Sequence, residues 1–217
     1  MILQGKVVGY DGETITIKAH CDKNEKLRKQ NNINCEIRLD DGRKISTDQR
    51  MMIYATLKDI AKWSGHTLEE VKIICKNEFV EMNGKKPFSL ANVDMTTAWE
   101  FQNYLIEFCI ENGVQTSINL AERCPDISQY VYLCLRHRKC CISGEEAELH
   151  HVDAVGMGRD REDIIHKGMR VLPLSRYYHT EAHTIGKKTF EEKYHLYPVE
   201  LNDELCEIWG VKGKNYD

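Results

Sequence analysis

The sequence has no apolar run that approaches the ~18 residues of a membrane span, and it does not open on the long apolar stretch of a signal peptide. Only four of its 217 residues are proline, while 29% are charged and 41% are hydrophobic, which argues against a mainly disordered chain. No internal repeat and no low-complexity segment is present. We therefore expect a soluble, cytoplasmic protein without a membrane partner.

An excess of positive charge is also lacking, because 30 lysines and arginines face 34 aspartates and glutamates, for a formal net charge of −4. The protein as a whole therefore lacks the net positive charge typical of many nucleic-acid-binding proteins, and any contacts with DNA must come from local basic patches. Two basic runs are candidates, Lys23–Lys29 and Arg136–Lys139. No Cys-x-x-Cys pair occurs among the nine cysteines, an odd number, so we expect free thiols.

The first part of the chain reads as strands followed by helices. Alternating residues around Asp11-Gly12 predict a β-hairpin, and a further strand is expected at Glu36–Leu39. Capping-box patterns at Ser46 and Thr67 each open a run with helical spacing. A third helix, beginning at Asp94 or Thr96, ends before Gly113. With the length of the chain, this pattern predicts two domains, which we place at residues 1–130 and 131–217.

Several residues and segments of this N-terminal part form a pattern: Ser46–Arg50, Tyr54, Ala55, Leu57, Asp59, Ile60, Phe88–Leu90 and Met95–Gly113. In this pattern the chain resembles the NinB (Orf) recombination-mediator family of lambda-like phages. The resemblance implies binding of single-stranded DNA, partnership with a recombinase or a single-strand-binding protein, and a homodimer.

The chemistry is concentrated in the last third of the chain, where seven of the nine histidines follow residue 136. His179 and His183 are four residues apart, so on a helix they share one face and can bind the same metal ion. His150 and His151 are neighbours, and on a strand their side chains point to opposite faces. One of this pair is therefore expected to be a ligand and the other a base. The order of segments predicts a strand, loop, strand and helix around one cation.

The run Glu148-Leu149-His150-His151 with the later His-x-x-x-His resembles the ββα-metal finger of HNH endonucleases, closest in motif to the colicin-type DNases. The resemblance implies that His150, His179 and His183 bind the metal and that His151 is the general base. It also implies that Glu148 positions an arginine, for which three candidates remain open: Arg136, Arg138 and Arg170. The chain as a whole looks like the HNHc nucleases encoded by phages of Gram-positive bacteria, which implies the cytoplasm of a host cell.

Two departures from the HNH pattern are visible. The positions of the family's structural zinc pairs read Cys140-x-x-Ser143 and Ser175-x-x-Tyr178, so a second zinc is not expected. Arg170 stands where the central Asn of the motif is sought, and His166 is the candidate for its role of tying the loop to the base strand.

We predict an α+β protein with N-terminal β-hairpins plus helices and a C-terminal ββα-metal (HNH) finger. Its expected function is metal-dependent cleavage of DNA in phage recombination or replication, with His151, Glu148, His166 and Arg170 as catalytic residues. Zn²⁺, Ni²⁺ or Mn²⁺ suits three imidazoles better than Mg²⁺. The DNA, whether single-stranded, branched or duplex, is expected to contact five basic residues: Arg136, Arg138, Lys139, Arg159 and Arg161. The alternative is a non-catalytic mediator that binds single-stranded DNA and has a structural metal finger.

Overall fold

The structure of the chain is a computed structural model that describes residues 5–19, 42–124, 126–152 and 165–212. The chain divides into two compact units, Met1–Leu39 and Asp40–Asp217. Eight helices and two small antiparallel sheets lie within the described residues, which confirms the predicted α+β class. In these same ranges, no helix combines the length and the apolar character that crossing a membrane requires.

Several predictions fall outside the described ranges. They concern the strand at Glu36–Leu39, the basic run Lys23–Lys29, and the DNA contacts of Arg159 and Arg161. Each of them stays a prediction.

The first unit contains the hairpin that the Asp-Gly pair predicts. Strand β1 (Gly5–Tyr10) pairs antiparallel with β2 (Ile15–Ala19). Asp11 closes the turn, because its Oδ1 accepts hydrogen bonds from the backbone N–H groups of Glu13 at 3.0 Å and Thr14 at 2.8 Å.

The second unit begins with three helices that enclose the first of two hydrophobic cores. They are α1 (Thr47–Ser64), α2 (Leu68–Met82) and α3 (Met95–Asn112). Each helix buries the apolar stripe that its sequence period predicts. The buried side chains of this core include Ile53, Leu57, Val71, Phe79, Phe101 and Leu105.

The starts of these helices are fixed by short-range hydrogen bonds, as the sequence predicts. Ser46 Oγ accepts from the backbone N–H of Gln49 at 3.1 Å, and the Gln49 side chain accepts in return from the Ser46 N–H at 3.1 Å. Thr67 and Glu70 form the same reciprocal box before α2. Asp94, one of the two predicted starts, caps α3. Each cap satisfies backbone donors that have no partner inside the helix.

A second core is built from five shorter helices and a three-stranded sheet. The helices are α4 (Leu120–Arg123), α5 (Ile127–Arg136), α6 (Arg176–Ile185), α7 (Lys187–Tyr194) and α8 (Asp203–Trp209). The strands pair antiparallel in the order β3 (Glu148–His151), β4 (Arg170–Leu174) and β5 (Val199–Glu200). Strands β3 and β4 and the following α6 are the two strands and the helix that the histidine spacing predicts. The loop predicted between the strands includes residues 153–164, which lie outside the described ranges.

Helix α3 contributes to both cores, since Phe101 packs in the first and Ile106 in the second. The predicted domain boundary, after residue 130, falls inside helix α5. That the two parts act as separate functional domains stays a prediction.

A buried ion pair lies among the helices of this unit. The Arg123 side chain is 0% exposed, and its Nη2 lies 2.7 Å from Oδ2 of Asp59 and 2.9 Å from the Ser117 hydroxyl. Its Nη1 lies 3.3 Å from the Thr56 hydroxyl, whereas its buried Nε makes no hydrogen bond in the described part of the chain. The network links α4 to α1 through an ion pair in which the charge of Arg123 is balanced by that of Asp59.

Candidate metal centre and active site

Strand β3 carries the first two histidines of the motif on opposite faces of the sheet. His150 pairs in register with Leu172 and is 7% exposed, whereas His151 pairs with Val171 and is half-buried. Among the residues that the structure describes, His150 alone of the two belongs to a group of side chains that could hold a metal ion. This is the geometry that a division into one ligand and one base requires.

Helix α6 supplies the other two histidines on one face, four residues apart. The ring centroid of His150 lies 4.8 Å from that of His179 and 4.9 Å from that of His183. The centroids of His179 and His183 are 5.0 Å apart. One nitrogen from each of the three rings lies within 4.8 Å of the other two. The fold therefore brings together the three side chains that the motif singled out.

The buried histidine fits the role of a ligand. In the described part of the chain, Nδ1 of His150 is buried without a hydrogen-bond partner. Such an atom costs about 1–3 kcal/mol, and a cation bound at it would remove this cost. Burial, reinforced by the charges that His179 and His183 can carry, lowers the pKa of His150 to about 4. The ring is therefore neutral at neutral pH, as a metal ligand must be.

Glu148 orients one of the helical histidines. Nδ1 of His179 donates a hydrogen bond to Oε2 of Glu148 at 2.7 Å, which leaves Nε2 as the nitrogen of that ring that could bind a metal ion. Nη1 of Arg176 lies 3.3 Å from both carboxylate oxygens of Glu148. The hydrogen bond with His179 outweighs the effect of burial and, together with Arg176, lowers the pKa of Glu148. The carboxylate is thus held in its charged form beside the histidine cluster.

His166 contacts the predicted general base. Nε2 of His151 lies 2.8 Å from Nδ1 of His166, and the two ring centroids are 4.9 Å apart. The backbone N–H of His166 donates to the carbonyl of Lys212 at 2.8 Å, which anchors the segment that carries the ring. Burial lowers the pKa of His166 and so favours its neutral form. A neutral His166 can accept a hydrogen bond from His151.

The arginine beside Glu148 is not one of the three candidates from the sequence. Its partner is Arg176, whose side chain is 82% exposed, while Arg170 lies at the exposed start of β4. The sequence could not reveal this pair because it depends on strand register. Glu148 lies opposite Leu174, so the residues that follow β4 lie next to it.

The predicted DNA-binding run after α5 is largely engaged within the protein. Arg136 forms ion pairs with two glutamates, at 2.7 and 3.0 Å. The guanidinium of Arg138 lies 5.0 Å from the ring centroid of Trp209. Lys139 joins an antiparallel backbone bridge with Glu146. Contact of these side chains with DNA stays a prediction.

Two antiparallel strands, a following helix and three converging histidines define this part of the molecule as a ββα histidine site. A family model described as a putative HNHc nuclease matches residues 18–211, so the chain belongs to that family. No curated protein and no solved structure matches the chain. The family match confirms the resemblance to HNHc nucleases, while the phage origin and the likeness to NinB stay predictions.

Proposed function

We propose that the protein is a metal-dependent endonuclease that hydrolyses phosphodiester bonds of DNA at the histidine cluster. The observation that carries this proposal is the convergence of His150, His179 and His183. Membership in the HNHc family supports nuclease chemistry. The resemblance of the N-terminal part to recombination mediators supports the finer proposal that the DNA takes part in phage recombination or replication.

In this proposal the three clustered histidines hold one divalent ion, Zn²⁺, Ni²⁺, Mn²⁺ or Mg²⁺. A bound ion supplies Lewis-acid chemistry that polarises the phosphoryl group and stabilises the leaving oxygen. The three neutral imidazoles do not offset the charge of the ion. Glu148 keeps the His179 ring in the orientation that ligation needs, since the carboxylate accepts a hydrogen bond from Nδ1–H.

His151 acts as the general base that takes a proton from the attacking water. A positioned base of this kind contributes about 10²–10⁴-fold to a rate. His166 accepts a hydrogen bond from the His151 ring across 2.8 Å, which fixes the ring and stabilises the positive charge that His151 gains with the proton. His166 is thus a positioning residue for the base.

Two exposed arginines are candidates for contact with the substrate. Arg176 is mostly exposed, and the N–H groups that do not face Glu148 can donate to a DNA phosphate. Arg170, at the exposed start of β4, stays a candidate catalytic residue.

A cleavage assay with the purified full chain tests the proposal. Supercoiled plasmid and single-stranded circular DNA are incubated with Mn²⁺, Ni²⁺, Zn²⁺ or Mg²⁺ in turn, with EDTA as the blank. We expect EDTA-sensitive nicking that His179→Ala abolishes together with metal binding, and that His151→Ala reduces by about 10²–10⁴-fold while metal binding persists. His66→Ala, which removes an exposed histidine between α1 and α2, should cut like the wild type.

Full activity of His151→Ala would remove this residue from the mechanism. Failure to cut either DNA with any of the four ions would contradict the proposal as a whole. If the protein also bound single strands in that case, the mediator with a structural metal finger would be favoured.

A further inference from the structure

A basic cavity lies on the helical part of the second unit, among residues outside the histidine site. Arg50 and Tyr54 are four residues apart on α1, and Lys72 and Lys76 are four residues apart on α2, so each pair lies on one face of its helix. Residues 89–91 complete the wall. The volume of the cavity is about 260 Å³.

The three cations in this wall differ in their partners. Lys72 forms an ion pair with Glu69 at 2.5 Å. Within the described ranges, neither Arg50 nor Lys76 contacts a carboxylate: Arg50 donates to a backbone carbonyl, and Lys76 lies over an aromatic ring. Burial, followed by the positive charge of Lys72, lowers the pKa of Lys76. A nearby anion would relieve this repulsion between like charges.

Arg50 is held in place by the protein. Its Nη2 donates a hydrogen bond to the carbonyl of Ala91 at 2.9 Å. Its Nε is buried and has no hydrogen-bond partner among the described residues. An incoming anion would therefore meet the Nη groups, of which only Nη2 is hydrogen-bonded to the protein within the described ranges. A guanidinium fixed in this way suits an acceptor with several oxygens, such as a phosphate.

The cavity also has an aromatic component. The ammonium group of Lys72 lies 5.8 Å from the ring centroid of Tyr54. Tyr54 lines the cavity and is half-buried. Free phosphate would use only the cations. A nucleic-acid strand would use both components, because its backbone needs cations and its unpaired bases stack on aromatic rings.

We propose that this cavity binds a single strand of DNA, with Arg50 and Lys76 on a backbone phosphate and Tyr54 against a neighbouring base. Bases of a duplex are already stacked on each other, so the tyrosine favours a single strand over a duplex. The inference rests on the proposed function in taking DNA as the ligand, but not on metal binding or cleavage. The cavity would be a second DNA-binding site, separate from the histidine cluster.

Fluorescence anisotropy of a short labelled oligothymidine, measured in EDTA over a series of salt concentrations, tests the inference. The variants of the full chain are Lys76→Gln, the double variant Arg50→Gln/Lys76→Gln, and Tyr54→Leu. Lys58→Gln is the matched control, because it removes an exposed lysine of α1 that does not line the cavity. Thermal melts establish that each variant is folded, and Lys76→Gln keeps the test valid if the double variant is not.

For the double variant we expect affinity to fall on the order of tenfold at low salt. Its slope of log affinity against log salt should be smaller by about 0.7, since the two side chains contact one phosphate and each phosphate contact on a single strand contributes about 0.7. Tyr54→Leu should weaken binding at least about fivefold with an unchanged slope, because stacking does not release counterions. Lys58→Gln should bind like the wild type.

Wild-type affinity of Lys76→Gln, or an equal loss in Lys58→Gln, would overturn the inference. An unchanged affinity of Tyr54→Leu would overturn the assignment to a single strand. A protein that binds through the cavity but cuts no DNA would overturn the proposed function alone. A protein that cuts DNA while Lys76→Gln binds normally would overturn this inference alone.

Discussion

Two clusters of polar side chains in the second unit differ in how their charge is balanced. In the first, Arg123 and Asp59 are opposite charges 2.7 Å apart, with the Ser117 hydroxyl within reach of both. In the second, three imidazoles face one another, and Nδ1 of His150 has no hydrogen-bond partner in the described chain. Buried polar groups are nearly always paired in native proteins. Nε of Arg123 also has no partner among the described residues, so the contrast lies in the ion pair: the first cluster pairs opposite charges and stabilises the fold, whereas the second is a group that could hold a metal ion.

The largest effect on stability should come from breaking the balanced cluster. Asp59→Ala leaves Arg123, which is 0% exposed, without its counter-charge. We expect the free energy of unfolding, measured by urea denaturation, to fall by about 3–5 kcal/mol.

The matched control for Asp59→Ala is Glu192→Ala, which breaks an exposed ion pair with Lys188 on α7. Its cost should stay below about 1 kcal/mol. Equal losses in the two variants would mean that the buried pair is no more important than one on the surface.

The next largest effect on stability should come from binding of a metal ion at the three-histidine cluster. A metal ion that binds only the folded protein should raise the free energy of unfolding by about 2.7 kcal/mol at a hundred times its Kd. We expect this gain for the wild type and not for His183→Ala, as measured by melting with and without Zn²⁺, Ni²⁺ or Mn²⁺. His183 is exposed, so its replacement should cost little in the absence of metal. A metal-dependent gain retained by His183→Ala would place the ion elsewhere.

A smaller effect is expected from the carboxylate that orients the cluster. Glu148→Gln keeps the shape of the side chain but removes the charge that His179 and Arg176 contact. Metal affinity, measured by calorimetry, should fall by about 10–100-fold, as for other outer-shell partners of metal ligands. Glu192→Gln, which removes an exposed carboxylate from the next helix, should leave the affinity unchanged. No loss in Glu148→Gln would show that the orientation of His179 does not depend on this contact.

The same comparison explains what could be predicted from the sequence. The capping boxes at Ser46 and Thr67 each involve two residues three positions apart, so they can be recognised from the amino-acid sequence alone. The histidine cluster was predictable because alternation on a strand and four-residue spacing on a helix fix which side chains can meet.

The contacts that the sequence did not reveal depend on tertiary packing. Arg123 and Asp59 are 64 positions apart, and no motif in the sequence joins them. The contact of Arg176 with Glu148 requires the register of β3 on β4, and the basic cavity requires the packing of α1 against α2. Local patterns therefore predicted the elements and the clustering of the three histidines, but not the arginine that contacts Glu148.

The smallest and most specific effect is the response of the balanced cluster to acid. Burial alone would raise the pKa of Asp59, but hydrogen bonds from Ser117 and Arg123 outweigh it and hold the pKa below its ordinary value. A carboxyl group whose pKa is lower in the folded chain stabilises the fold above the unfolded pKa, near ~3.9, and loses this contribution as pH falls through the folded pKa.

The wild type should therefore be more stable than Asp59→Asn by a constant amount near neutral pH, and this difference should shrink as pH falls below about 4. Urea denaturation of both proteins at each pH measures it, and the subtraction cancels the titration of all carboxyl groups that the two proteins share. Asparagine keeps the size of the side chain and some of its hydrogen bonds but cannot ionise. A difference that stayed constant into acid would mean that shape and hydrogen bonding, rather than the charge of Asp59, hold Arg123 in the core.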